Sequence, residues 1–323
     1  MSDGAETAPR PKGVVGRLRV LLELVKFEHS IFALPYAYIG AIYGAATVAF
    51  AVPAIYPTPP PTPTLWVGLD HWPTWAALGW ITVAMIGARA FAFVVNRAVD
   101  KEIDARNPRT SGRAVPTGAI RAWELWAFAA LMLAAYLVAV YQLAPITHLL
   151  WPIPLAAFVV YPYLKRFTPF AHFWLGACLG LGAVGGWVAV GANLTDPAPW
   201  VFGAAVAVRT AGFDIIYATQ DYDCDVRDGI HSIPADFGIG EGLVITRTLH
   251  VVAFVLFVLA GYLVGAGWAY YAGVLLAGIL LAYENAIVRA HDLSRVNAAF
   301  FTVNGFVAVI ILAGTVADRL IGR

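Results

Sequence analysis

Residues 84–104 read AMIGARAFAFVVNRAVDKEID and join an apolar run to an acidic end. The run belongs to an apolar stretch over residues 74–98, which is long enough to cross a bilayer, since a membrane helix needs about 20 residues. Asn96, Asp100 and Asp104 follow one another at i, i+4 and i+8, so a helix places them on one face. The stretch therefore predicts a membrane-spanning helix that ends in a row of polar side chains.

Similar apolar stretches recur along the chain, and its composition agrees with them. Of the 323 residues, 60% are hydrophobic and 13% charged, and the mean hydropathy is +0.72. Soluble domains are about 45–50% apolar and about 25% charged. The predicted fold is an all-α integral membrane bundle of nine transmembrane helices. Their predicted positions are 28–50, 74–98, 122–142, 146–164, 171–192, 199–219, 243–265, 268–289 and 297–317.

Basic residues indicate the orientation of this bundle. They occur before the first span and in the even-numbered loops, whereas the odd-numbered loops contain no Lys or Arg. The positive-inside rule then places the N-terminus and the even-numbered loops in the cytoplasm. Residues 1–22 are predicted as a cytoplasmic tail and residues 23–319 as the membrane domain. A net charge of +1 gives no indication of a nucleic-acid partner.

A second acidic cluster, DYDCDVRD over residues 221–228, follows the sixth span at the same predicted membrane face. Asp221 and Asp225 again lie at i and i+4. Carboxylate and amide oxygens suit Mg²⁺, which commonly binds a few carboxylates together with substrate phosphates. One such cluster is also typical of solvated charges at a helix end, but two clusters spaced alike favour a metal–diphosphate site. The predicted metal ligands are Asn96, Asp100, Asp104, Asp221 and Asp225.

Basic side chains accompany the acidic clusters at this face. Arg106, Arg109 and Arg113 lie in the second loop, and Lys165 and Arg166 end the fourth span. Arginine forks match phosphate oxygens, so all five are candidates for binding the substrate. Membrane topology alone also places basic residues here, and the two at the end of a span are the stronger candidates.

Charged residues within the spans include Arg89, Arg209, Asp214 and Glu284. Arg89 precedes Asn96 by seven residues, and Asp214 precedes Asp221 by seven, so each lies about two turns deeper on the same face. Charges at such depth usually face the bundle interior and mark a functional site. Both are therefore predicted to contact the substrate. The alternative is a buried structural pair of Asp214 with Arg89 or Arg209.

These motifs resemble those of the UbiA superfamily of intramembrane aromatic prenyltransferases, over about residues 20–315. The family patterns are N-D/R-x-x-D-x-x-x-D, D-x-x-x-D and Y-x-x-x-K. They are matched in turn by Asn96, Asp100 and Asp104, by Asp221 and Asp225, and by Tyr161 and Lys165.

The resemblance implies a bundle around a central cavity that is open to membrane lipid, in a bacterial inner membrane. It implies that Mg²⁺ bridges the carboxylates to a polyprenyl diphosphate, which leaves an allylic cation that an aromatic carboxylate acceptor attacks. Catalytic roles are implied for Asp100, Asp221, Tyr161 and Lys165. Tyr161 is also suited to stabilise a cation through its ring face.

Some stretches differ from the ubiquinone-pathway members of the superfamily. Residues 229–234 read GIHSIP where those members carry Gly-x-Lys-Ser, and residues 26–30 read KFEHS where an Arg-containing stretch is usual. These two stretches, together with residues 107–110, resemble those of the MqnP branch, which is assigned to menaquinone synthesis by the futalosine route. The implied acceptor is 1,4-dihydroxy-6-naphthoate, and 4-hydroxybenzoate is the alternative. His231 is a candidate diphosphate contact in place of the lysine.

Two further interpretations remain open at this stage. An ion-coupled transporter would place its charged ligands near the bilayer midplane, whereas the carboxylates here crowd one face. Prenylation of haem or of a glyceryl ether, within the same superfamily, is the other possibility.

Overall fold

The computed structural model describes residues 13–24, 33–50, 65–68 and 70–322. These residues are almost entirely helical, and the short 3₁₀ turn Thr219–Asp221 and the π-helical turn Ala298–Val303 extend two of the long helices. The α-helices are α1 (Gly13–Leu24), α2 (Leu34–Phe50), α3 (Trp75–Val99), α4 (Lys101–Arg106), α5 (Ala122–Tyr141), α6 (Thr147–Leu150), α7 (Pro152–Leu164), α8 (Ala171–Ala189), α9 (Ala198–Ala218), α10 (Tyr222–Asp228), α11 (Ile233–Phe237), α12 (Ile239–Leu263), α13 (Trp268–Ile287) and α14 (Asn304–Ile321).

Eight helical segments in the described ranges are long and apolar enough to cross a membrane. They match the last eight predicted spans, which confirms the all-helical membrane fold. The first predicted span, 28–50, corresponds to α2, which is 17 residues long, and residues 28–32 lie outside the described ranges. The count of nine therefore stays a prediction.

Two stretches discussed in the sequence lie outside the described residues. They are residues 1–12 of the predicted tail and the stretch 26–30. The second half of the predicted tail is helical and forms most of α1. Its Arg17 forms an ion pair of 2.8 Å with Glu124 at the start of α5.

The predicted span 146–164 consists of two helices. Short α6 ends at Leu150, and Pro152 opens α7, where its missing N–H and fixed φ suit a helix start. Pro162 lies inside α7, one turn before the basic residues that follow the helix.

Glycines allow α2, α8 and α9 to pack at close range. A Cβ atom on Gly186 of α8 would collide with the backbone of Ala37 on α2, and one on Gly180 would collide with the carbonyl oxygen of Gly203 on α9. Small residues at helix contacts let backbones approach closely, which is how membrane helices commonly associate. The three helices form one wall of the bundle, and α3, α5 and α7 complete the surround of a cavity.

A buried polar cluster lies within this bundle, away from the cavity. Arg209 on α9 is fully buried and donates hydrogen bonds to the backbone oxygen of Asn304, at 2.9 Å, and to its side-chain oxygen, at 2.5 Å. Asn304 Nδ2 in turn donates to Glu284 Oε1 at 2.9 Å. In the described part of the chain, Asp214 pairs with neither Arg209 nor Arg89, the structural pairing that the sequence left open.

Candidate active site

A cavity of about 700 Å³ lies among α3, α5, α7, α8 and α9. Apolar side chains such as Met85, Phe158 and Leu179 line part of it, and both acidic motifs line another part. The predicted site residues that line it are Arg89, Asn96, Asp100, Asp104, Arg109, Arg113, Tyr161, Lys165, Asp214, Asp221, Asp225 and His231. Two predicted site residues, Arg106 and Arg166, lie outside the lining.

The first motif keeps helical spacing across a junction between two helices. Helix α3 ends at Val99, and Asp100 stands between it and α4. The Asp100 N–H donates to the carbonyl of Asn96 at 2.9 Å, and the Asp104 N–H donates to the carbonyl of Asp100 at 2.8 Å. Because these bonds preserve the i to i+4 pattern, the three side chains stay on one face.

Asp100 is the most deeply buried carboxylate of the two motifs. Lys165 Nζ lies 2.5 Å from its Oδ2 atom, and Arg166 Nη2 lies 3.6 Å from Oδ1. Burial raises the pKa of the Asp100 carboxyl, and the Lys165 ammonium opposes that shift. Oδ1 is buried and accepts no hydrogen bond within the described chain, so it can accept a further cation.

The Arg166 guanidinium binds backbone carbonyl groups and does not line the cavity. Its guanidinium donates to the carbonyl of Pro162 at 2.8 Å and to the carbonyl of Val99 at 3.0 Å. These bonds connect the end of α7 to the end of α3. Arg166 therefore holds Lys165 and Asp100 next to each other.

Asp104 bridges two arginines. Arg97 Nη1 lies 3.2 Å from Oδ2, and Arg113 Nη1 lies 2.9 Å from Oδ1. The second loop is thereby folded back onto the end of α3. Arg106 points elsewhere, since its Nε donates to Asp228 at 3.1 Å.

Asp221 of the second motif is held by the second loop. Arg109 donates to both carboxylate oxygens, with Nε 2.9 Å from Oδ1, and Asn107 Nδ2 donates to Oδ1 at 2.7 Å. The Arg109 guanidinium also donates to the Tyr217 hydroxyl at 2.9 Å and lies 5.1 Å from the centre of that ring. These contacts join the second loop, which follows the first motif, to the second motif. Asn107 and Tyr217 were not predicted as site residues.

Asp225 and the stretch 229–234 form the remaining edge. Gly229 ends α10 with φ of 66°, a left-handed conformation that glycine adopts without strain. The Ser232 hydroxyl donates to Asp225 Oδ2 at 3.1 Å. The His231 N–H donates to the carbonyl of Lys165 at 2.8 Å, and its ring nitrogen lies 2.9 Å from Asp236. His231 is thus placed beside the lysine that contacts the first motif.

Arg89 and Asp214 line the cavity from within the spans. The Arg89 guanidinium lies 5.0 Å from the centre of the Phe93 ring, and its Nε is buried with no hydrogen-bond partner in the described residues. Asp214 Oδ2 lies 2.7 Å from His172 Nδ1, and the Ile233 N–H donates to His172 Nε2 at 3.3 Å. The sequence reasoning missed His172, because a lone histidine at the start of an apolar span carries no motif.

Basic and acidic side chains line the cavity in equal number, with five arginine or lysine residues and five aspartates. The cations are Arg89, Arg97, Arg109, Arg113 and Lys165, and the anions are Asp100, Asp104, Asp214, Asp221 and Asp225. Among the described residues, no three carboxylate, His or Cys side chains are arranged to hold one metal ion. The donor set nevertheless fits a hard cation such as Mg²⁺, because four motif carboxylates share one cavity and the Oδ1 atom of one of them, Asp100, accepts no hydrogen bond from the described residues.

The sequence model of the UbiA prenyltransferase family matches residues 58–307. The chain belongs to this family. The match covers most of the chain and includes both acidic motifs. It establishes the enzyme class, a prenyltransferase, and favours that class over an ion-coupled transporter.

Curated members of the UbiA family resemble the chain over most of their length. The 4-hydroxybenzoate octaprenyltransferase of Saccharophagus degradans is 30% identical over 261 residues, which is 80% of this chain and 85% of the relative. That of Citrobacter koseri is 31% identical over 255 residues, 78% of this chain and 87% of the relative. Assignment to the MqnP branch stays a prediction.

Solved UbiA structures share the fold. A UbiA homologue from Aeropyrum pernix K1 superposes with a TM-score of 0.76 at 32% identity, covering 91% of this chain and 98% of the homologue. A homologue from Archaeoglobus fulgidus, solved bound to GPP and Mg²⁺, gives a TM-score of 0.64 at 18% identity, over 93% and 99% of the two chains. The second likeness concerns the fold alone.

Proposed function

We propose that this UbiA-family enzyme uses Mg²⁺ to transfer a polyprenyl group from its diphosphate to the ring of 4-hydroxybenzoate. The observation that carries the proposal is the meeting of both acidic motifs with five cationic side chains at one cavity that also has apolar walls. A polyprenyl diphosphate likewise has a charged part and an apolar part, which are its polyanionic head and its prenyl tail.

The diphosphate head belongs at the charged part of the cavity. Lys165, Arg109 and Arg113 each contact a motif carboxylate, and each is also suited to bind phosphate oxygens. We infer that these cations turn toward the diphosphate when it binds, which frees Asp100, Asp221 and the other predicted ligands for Mg²⁺. When bound, Mg²⁺ supplies neutralising charge for the leaving diphosphate.

The reacting end of the prenyl chain is assigned to the neighbourhood of Tyr161 and Lys165. Tyr161 lines the cavity one helical turn before Lys165, so its ring lies close to the head group and within the apolar wall. An aromatic face attracts a cation, most strongly where water is excluded. The apolar side chains deeper in the cavity are suited to hold the rest of the prenyl chain.

The acceptor is assigned to the inner part of the cavity beside Arg89. The Arg89 side chain lines the cavity and its Nε has no hydrogen-bond partner among the described residues, so it is suited to a carboxylate, whose two oxygens match the arginine fork. The choice of 4-hydroxybenzoate rests on relatives that are 30% and 31% identical and carry that name. By the positive-inside rule, we place the charged part of the cavity at the cytoplasmic face.

A second candidate acceptor is 1,4-dihydroxy-6-naphthoate. The stretch 229–234, in which His231 stands where ubiquinone-pathway members carry a lysine, is the specific observation in its favour. Its carboxylate would bind Arg89 in the same way.

The test is a direct comparison of acceptors. Purified protein in lipid vesicles receives a polyprenyl diphosphate, Mg²⁺ and either acceptor, and the product is identified by mass. We expect prenylated 4-hydroxybenzoate, with turnover lost in Asp100→Ala and Asp221→Ala and retained in the exposed control Glu241→Gln. A naphthoate product alone would favour the second candidate. Full turnover in both aspartate variants would refute the assigned site.

A further inference from the structure

Asp214 differs from the other carboxylates that line the cavity. Asp100, Asp104 and Asp221 each contact a lysine or an arginine, and Asp225 accepts a hydrogen bond from a serine as part of the second motif. Asp214 contacts His172, and its Oδ1 accepts no hydrogen bond from the part of the chain that the structure describes. It is a carboxylate that lines the cavity without a cationic partner and outside both motifs.

The contacts of His172 indicate which tautomer its ring adopts. The Ile233 N–H points at Nε2, so Nε2 must be the acceptor and carries no proton. The proton of the neutral ring is then on Nδ1, where it is donated to Asp214 Oδ2 at 2.7 Å. His172 has no free lone pair for a substrate proton, but it holds Asp214 in place with one oxygen free.

Asp214 lies at the same sequence distance from the second motif as Arg89, the residue assigned to the acceptor, lies from the first motif. Arg89 precedes the first motif residue Asn96 by seven residues, and Asp214 precedes Asp221 by seven. Seven residues of helix span about 10 Å. Both side chains line the same cavity at this distance from the motifs, so an acceptor whose carboxylate binds Arg89 lies within the same layer as Asp214.

We propose that Asp214 accepts the proton that the aromatic ring loses when the prenyl group is transferred, and that His172 is its positioning residue. The ring carbon forms a bond to the first carbon of the prenyl group, whose bond to the diphosphate oxygen breaks. The C–H bond at that ring carbon then breaks, its electron pair restores aromaticity, and the proton goes to Asp214 Oδ1. The inference rests on the proposed function.

The environment of Asp214 suits this role better than that of the motif carboxylates. A guanidinium or ammonium partner opposes protonation of a carboxylate, since it stabilises the charged form. A neutral imidazole donates one hydrogen bond without adding a positive charge. A carboxylate inside a membrane span that faces a cavity also commonly takes part in proton transfer.

The experiment compares Asp214→Asn, His172→Gln and His172→Phe with the exposed control Glu241→Gln. A glutamine amide can donate to Asp214 and accept from the Ile233 N–H, whereas phenylalanine can do neither. Turnover is measured with 4-hydroxybenzoate and with the same acid deuterated at the ring carbons next to the hydroxyl. Thermal stability and the KM for the polyprenyl diphosphate are recorded for every variant.

We expect Asp214→Asn to lower kcat about 100-fold or more, as is typical when a general base is removed. Its KM for the diphosphate stays within a few-fold of wild type. The deuterated acceptor reacts more slowly than the normal one in this variant, and the difference exceeds that in the wild type, because proton removal has become slow. His172→Phe shows the same signature, and His172→Gln restores most of the rate.

Two results would overturn the inference. One is normal turnover in Asp214→Asn, which would assign the proton to another acceptor, such as the released diphosphate. The other is a slow variant without a larger isotope effect, which would give Asp214 a structural or binding role. Failure of the wild type to prenylate any aromatic acid would instead refute the proposed function, and this inference with it.

Discussion

Replacement of Lys165 by methionine tests whether its pairing with Asp100 stabilises the folded protein. The Asp100 side chain is 2% exposed, and its Oδ2 lies 2.5 Å from Lys165 Nζ. The next cation, Arg166, is 3.6 Å from Oδ1 and already bound to two carbonyls. Removal of one partner from a buried pair costs about 3–5 kcal/mol. We expect about 3 kcal/mol, the lower end of that range, because Lys165 is 27% exposed and water reaches the site.

The assay is a double-mutant cycle, measured by unfolding of the purified protein in detergent with EDTA present. Asp100→Asn leaves a partly exposed lysine, so we expect it to cost about 1 kcal/mol. Asp100→Asn with Lys165→Met leaves no unpaired charge at this pair, so its cost should be at least about 2 kcal/mol below the sum of the single costs. Additive costs would refute the idea that the two groups stabilise each other.

Addition of Mg²⁺ to the same variants gives a second readout. If Asp100 is a metal ligand, the ion replaces the missing ammonium and stabilises Lys165→Met more than it stabilises Asp100→Asn. Equal stabilisation of the two variants would contradict the assignment of Asp100 to the metal site.

Two further substitutions test other parts of the structure. Arg109→Lys keeps the charge but loses the forked contact with Asp221, so KM for the polyprenyl diphosphate should rise about tenfold, or about 1.4 kcal/mol; an unchanged KM in steady-state kinetics would contradict a diphosphate contact. Gly186→Ala should cost about 1–3 kcal/mol by forcing α8 away from Ala37. Gly185→Ala meets open space and should melt like the wild type, so equal melting of both variants would contradict the close approach.

The membrane helices were predictable because bilayer thickness sets their length, so that each one is visible as a continuous apolar stretch of sequence. The apolar stretch 74–98 became α3, Trp75–Val99, and the stretch 171–192 became α8, Ala171–Ala189. Helix α8 ends before the predicted boundary because Gly191, with φ of 86°, does not continue the helix. The spacing of Asn96 and Asp100 likewise needed only the helix period, which the backbone hydrogen bond between them preserves.

Side-chain partners were less predictable, because the helix period gives the face of a residue but not its neighbour on another helix. Arg106 was a substrate-binding candidate, and the structure pairs it with Asp228 outside the cavity lining. Asp214 was predicted to contact the substrate, but its partner His172, which lies 42 residues earlier on α8, was not predicted. Only the packing of α8 against α9 brings the two together.

The charged residues inside the spans show where hydropathy stops being informative. By sequence, Arg209 and Arg89 are alike, and both violate the apolar pattern. The structure separates them, because Arg89 lines the cavity whereas Arg209 is fully buried against Asn304.

Asn304 follows the π-helical turn Ala298–Val303, and that turn carries Phe300, which lines the cavity and stacks on Tyr217 with ring centres 4.0 Å apart. The Tyr217 hydroxyl in turn accepts a hydrogen bond from Arg109, which also donates to Asp221. Arg209 is thus connected with the site only through the residues that pack between them. A charged residue inside a membrane span can support a cavity by fixing the backbone that forms the cavity wall. The burial of that residue, and not its hydropathy, distinguishes this role from contact with the substrate.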